Sequence, residues 1–137
     1  MQGDAACDNE HLPCLRSRTC EVQDMQYDEI RPLIADATAR LNRAVETLDD
    51  PHHTASLLPG WSQAHVLAHL ARNADGMRNL FLAARSGRFV GMYASAELRE
   101  ADIMTGATRP AELLALDVGV AAERLAIDLD AMPEQAW

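Results

Sequence analysis

The segment Arg109 to Met132, RPAELLALDVGVAAERLAIDLDAM, constrains the fold more than any other stretch of this chain. Its apolar residues fall at 113, 114, 116, 118, 120, 121, 125, 127 and 129, a helical pattern that wraps most of the circumference. Only a narrow polar stripe of Asp117, Arg124 and Asp128 is left for water. A helix this apolar needs neighbours on more than one side, so the chain is expected to build a bundle. Thr108 is a candidate cap for its start, with Pro110 in the first turn. Gly119, in mid-helix, costs about 1 kcal/mol against alanine, a loss that a close helix contact would offset.

The remainder reads the same way. Asp28 to Leu48 carries apolar residues at 30, 33, 34, 37, 41, 44, 45 and 48, again helical, and Asp49-Asp50-Pro51 stops it. Pro32 is tolerable near the start of that helix. Ser62 is the expected N-cap of a second helix running to about Arg85 and closed by Ser86-Gly87. Its apolar stripe is expected to hold Val66, His69, Leu70, Asn73, Met77, Leu80, Phe81 and Ala84. Ser95 opens a short helix that ends at Gly106. The count is three long helices and one short one, and the greasy surface of the last asks for a fourth long helix. With just two residues each of Trp, Tyr and Phe in 137, the core is built from small and unbranched side chains, which favours helix packing over a sheet. The class expected is all-α.

Charge and patterning exclude several functions. A net charge of −9 opposes nucleic acid or an anionic membrane as partner. No apolar run approaches the roughly 18 residues of a membrane span. Cys7, Cys14 and Cys20 lie in the first 24 residues with His11 among them, but an odd number at this spacing fits neither a zinc ribbon nor a CxxC redox motif. Charges interrupt the leader throughout, so it is no signal peptide, and the location expected is cytoplasmic. Residues 1–24 are expected to be a disordered, dispensable extension, and residues 25–137 the folded domain.

Of five histidines, two stand four residues apart in LPGWSQAHVLAHLARNAD, at His65 and His69. That spacing lets two imidazoles reach one metal ion on a helix face. The zinc-protease form HExxH nevertheless requires glutamate where Val66 stands. His69 is read either as a ligand or as a buried neutral histidine with a hydrogen-bond partner, and His65 as exposed. His52 and His53, adjacent in the preceding loop, read as solvated because neighbouring side chains diverge.

PGWSQAHVLAHLARNADGMRNLFLAARSG, followed by MYASAELREADI, resembles the N-terminal metal-binding domain of mycothiol-dependent maleylpyruvate isomerases, within the wider DinB-like helical bundles. RPAELLALDV and LDAMPEQAW fit as the next helix and its exit, so the likeness covers roughly residues 27–137. The resemblance implies a four-helix bundle around a divalent metal, usually zinc. One histidine from the second helix and a glutamate and histidine from the last would hold it. The first maps onto His69; His65 is not the usual ligand position and would sit near the mouth of the site. Asn73, one turn after His69, would orient that ligand or a bound water, or else serve in helix packing.

The family's other two ligands lie beyond the segment matching PEQAW. The chain is therefore expected to be the front part of a longer domain, holding the first three long helices and the short one, and inactive alone. In a complete site, the family chemistry has mycothiol add as thiolate to the cis double bond of an electrophile. Bond rotation and thiol elimination follow, and other relatives transfer the thiol instead. The partners implied are a small-molecule thiol and an electrophilic substrate. The alternative is a non-catalytic helical module that pairs through its exposed apolar face, as a homodimer or with a missing C-terminal segment.

Overall fold

The computed structural model of the protein describes residues 27–133. Four helices follow one another: α1 (Tyr27–Glu46), α2 (Gln63–Ser86), α3 (Ala96–Gly106) and α4 (Ala111–Asp130). Among the described residues there is no strand, only an isolated antiparallel bridge between Ala55 and Ser62. The proposed extension, residues 1–24, lies outside the described residues. The chain divides into two units at Leu33 and Ile34. Of the first, the described part is the opening of α1, where Pro32 sits inside the helix, past its first turn.

In the second unit α2 is the central element, packed on α4 and on α3. The core is small: Val45 from α1, Ala64, Leu67, Ala68, Ala71 and Ala74 from α2, Ile103 from α3, and Leu114, Val118 and Ala121 from α4 are buried. The buried face of α2 is thus its alanine line, not the stripe of larger residues expected from periodicity. Val66, His69, Leu70, Asn73, Met77 and Phe81 are only half-buried, and Leu80 and Ala84 are exposed. Two neighbours approach α2 at once, and they come closest where its side chains are smallest. At Gly106, where α3 ends, an added Cβ would stand 3.0 Å from the Ala68 Cβ.

The displaced large residues line an open groove of about 240 Å³ instead. Leu70, Met77 and Phe81 of α2 face Leu125 and Leu129 of α4 there, with Ile34 and Leu41 of α1 alongside.

Three further expectations about α4 are corrected. Asp117 and Asp128 do not face water. Asp117 takes both oxygens to Arg72 at 2.9 Å and a third bond from Arg109 at 2.8 Å. Asp128 accepts from Arg78 at 2.6 Å and Arg85 at 3.2 Å. The pairs with Arg72, Arg78 and Arg85 clamp α2 to α4, and only Arg124 of that stripe is exposed. Gly119 meets nothing within 4 Å and lines an open groove beside Val45 and Glu46 of α1, so no close contact explains it. Thr108 caps nothing on α4. Its hydroxyl donates to the Thr105 carbonyl at 2.8 Å, closing α3, and Pro110 occupies the N-cap of α4.

Candidate functional site around His69

Before α2 the loop 47–62 folds back on the helix start. Free amides of the first turn need acceptors, and the loop supplies them: Gln63 N donates to the Thr54 carbonyl at 2.9 Å and Ala64 N to that of buried Pro51 at 2.7 Å. Gly60, at φ +79°, makes the turn that a side chain would strain. The result sets Trp61 against α2. Its ring centroid lies 5.7 Å from that of His69, edge-on, and 6.1 Å from that of His65.

His65 is the N3 residue of a capping box. The Ser62 amide donates to its Nδ1 at 3.2 Å, and the Ser62 hydroxyl lies 2.9 Å from the same nitrogen. Glutamate or glutamine usually fills this place, so His65 is here a helix-start residue, half-buried beside Trp61.

His69, one turn on, is half-buried too, and its partner comes from α3. The Arg99 guanidinium reaches its Nδ1 at 3.2 Å. A guanidinium can only donate, so Nδ1 accepts and the neutral ring carries its proton on Nε2. Burial lowers the pKa of His69, and the neighbouring positive charge of Arg99 acts in the same direction. The ring is therefore held neutral around pH 7. A metal at Nδ1 would have to displace Arg99. A metal at Nε2 would move the proton to Nδ1 and set it against the same donor. Coordination at either nitrogen excludes the Arg99 bond.

The segment joining α2 and α3 completes the cluster. Gly76 leaves room for it: an added Cβ would lie 2.9 Å from both Met92 Cγ and Tyr93 Cε1. Asn79 Nδ2 donates to the Met92 carbonyl at 3.1 Å. The Tyr93 hydroxyl donates to Asn73 Oδ1 at 3.2 Å, and the Arg99 guanidinium carbon lies over the Tyr93 ring, 5.4 Å from its centre. Ser95 caps α3 by accepting from Leu98 N at 3.1 Å, which fixes the start of the helix that carries Arg99. His69, Asn73, Tyr93, Arg99 and Trp61 thus form one patch.

Sequence reasoning reached His69 and Asn73 but gave Trp61, Tyr93 and Arg99 no role. The MYAS-x-E-x-R block was the available signal, since it carries both a ring and a guanidinium. His52 and His53 lie elsewhere. His52 is half-buried and donates to the Arg109 carbonyl at 2.8 Å, rather than being merely solvated, while His53 pairs with Asp50 at 3.0 Å.

Among the described residues no three His, Cys, Asp or Glu side chains come together to hold a metal ion. Zinc sites use three or four protein ligands. The described residues offer one imidazole, itself bonded to a cation, so by themselves they do not fit zinc.

Comparison with known proteins gives a consistent result. The family described as mycothiol maleylpyruvate isomerase N-terminal domain matches residues 34–137. A crystal structure of a mycothiol-dependent maleylpyruvate isomerase superposes with a TM-score of 0.79 at 30% identity, covering 84% of this chain and 48% of that one. A crystal structure of a histidine-to-alanine mutant of such an isomerase gives 0.79 at 29%, with the same coverage. The chain thus spans about half the length of these solved structures. No curated protein matches it.

Proposed function

This chain belongs to the mycothiol maleylpyruvate isomerase N-terminal domain family, and from that premise we propose that it serves a thiol-dependent reaction on a small electrophile. The thiol is mycothiol, the reaction is cis–trans isomerisation or thiol transfer, and the setting is the cytoplasm. His69 is the imidazole this domain contributes to a divalent metal, zinc, whose other ligands lie outside the described residues. Asn73 and His65 flank it. The observation that carries the reading is the meeting of the two blocks that resemble the family, HLARNAD and MYAS-x-E-x-R, with Arg99 bonded to His69 and Tyr93 to Asn73. A neutral imidazole is the form that binds a metal, and burial favours that form; coordination requires Arg99 to leave the ring.

The zinc content of this domain joined to a segment that supplies the family's glutamate and second histidine tests this. His69→Ala is expected to abolish stoichiometric zinc and His65→Ala to leave most of it. Full zinc in His69→Ala overturns the reading. The 137-residue chain is expected to show no isomerase turnover, because one ligand does not make a zinc site. Zinc-dependent turnover by it would contradict that expectation.

The groove between α1, α2 and α4 favours a second reading, a helical module that pairs through this apolar face. Pairing predicts a mass in light scattering that rises with concentration and falls back in Met77→Glu. A monomer across the whole range refutes it.

A further inference from the structure

We propose that Arg99 is a carboxylate receptor: it binds the carboxylate of a small acidic ligand by turning its guanidinium off His69, and so frees the imidazole. Arg99 differs from the arginines that pair with the α4 aspartates. Arg72, Arg78, Arg85 and Arg109 each hold an aspartate at 2.6–3.2 Å. The carboxylate paired with Arg99, Glu100, is 3.9 Å away, beyond hydrogen-bonding distance. In a chain of net charge −9, this guanidinium is instead held by two neutral groups, the His69 imidazole and the Tyr93 ring.

Such a cation is poised for an anion. A guanidinium presents five N–H donors in a fork that matches a carboxylate, and His69 occupies one of its terminal nitrogens. The side chain is 30% exposed, enough for a ligand to reach it yet partly removed from water, where charge-assisted bonds are stronger. The Tyr93 ring, 5.4 Å from the guanidinium carbon, keeps the cation in place while its terminal nitrogens turn from imidazole to carboxylate. Tyr93 is in turn tied to Asn73. An imidazole nitrogen is a neutral acceptor, and a carboxylate competes with it successfully because it is charged and accepts two parallel bonds. The second half of the proposal, a freed His69, rests on the metal-binding role proposed for that residue; the first half does not.

The test is a maleate titration of the purified chain at constant ionic strength, with chloride as the balancing ion and neither metal nor thiol present. The readouts are the His69 imidazole and Arg99 side-chain ¹⁵N signals. Saturable one-to-one binding is expected, with both signals moving together. Arg99→Ala should weaken binding at least about tenfold. Arg99→Lys, which keeps charge and stem but loses the fork, should weaken it less. His69→Ala, lacking the competing acceptor, should bind maleate at least as tightly as the parent, and exposed Arg88→Ala should match the parent. Absence of saturable binding overturns the proposal, as does parental affinity in both Arg99 variants or loss of binding in His69→Ala. Because no metal is present, failure here leaves the zinc role proposed for His69 standing, and failure of that role leaves this titration intact.

Discussion

Gly76→Ala is the substitution that most directly tests how the site is assembled. A methyl group there would lie 2.9 Å from Met92 Cγ and Tyr93 Cε1, and 3.1 Å from Tyr93 Cζ. Carbon atoms rest at about 3.5–4.0 Å, so the aromatic ring must withdraw by roughly half an ångström or more. The Tyr93–Asn73 hydrogen bond, already 3.2 Å, lies in the path of that movement. Alanine in mid-helix gains about 1 kcal/mol over glycine. Overpacking costs about 1–3 kcal/mol, and the lost hydrogen bond about 1 kcal/mol. The balance is a destabilisation of about 1–3 kcal/mol, or a fall in Tm of roughly 4 °C per kcal/mol for a domain of this size.

Gly119→Ala is the internal control. Nothing lies within 4 Å of its added methyl, so the same change should raise stability by up to about 1 kcal/mol. Thermal melts followed by circular dichroism read both, and the His69 ¹⁵N signal reports whether Arg99 moves with Tyr93. If Gly76→Ala proves as stabilising as Gly119→Ala, the connecting segment yields freely and the close approach is not what sets Tyr93.

Asp128→Asn should cost about 1–2 kcal/mol, because it removes the acceptor shared by Arg78 and Arg85 in the α2–α4 clamp. The Asp128 pKa is held below its ordinary 3.8, chiefly by the hydrogen bond from Arg78. A carboxylate lowered on folding stabilises above its unfolded pKa and ceases to as pH falls through the folded one. The Tm gap between parent and variant should therefore be constant near neutrality and close below about pH 4; a gap that widens on acidification would refute the assignment. His65→Ala should lower stability by about 0.5–1 kcal/mol through the α2 cap, and His65→Gln, a usual capping-box residue, should recover most of it in the same melts. Equal losses in both variants would mean that His65 contributes through Trp61 packing rather than capping.

Helix existence and helix ends were legible from local chemistry. Ser62 and Ser95 before helical runs, Gly87 in the left-handed conformation and Pro51 after the first helix mark boundaries within one or two residues of those observed, because capping is decided within a turn. His69 was legible too, as a polar residue set among apolar ones in a block with family character. The face that α2 buries was not. Periodicity weighs side chains by hydrophobicity and so chose the large ones, whereas two neighbours packing on one helix select the alanines that let them approach. Asp117 and Asp128 looked like a solvent stripe for the same reason: the α2 arginines that pair with them lie 43 to 50 positions away, and only Arg109, eight positions from Asp117, is local. Tyr93 and Arg99 reach Asn73 and His69 across 20 and 30 positions. Local sequence determined which segments are helices and where they stop, since those free energies are settled among near neighbours. Only the tertiary structure decided which face is buried, which charges pair and which residues surround His69, since each of these depends on groups that meet only after the helices have packed.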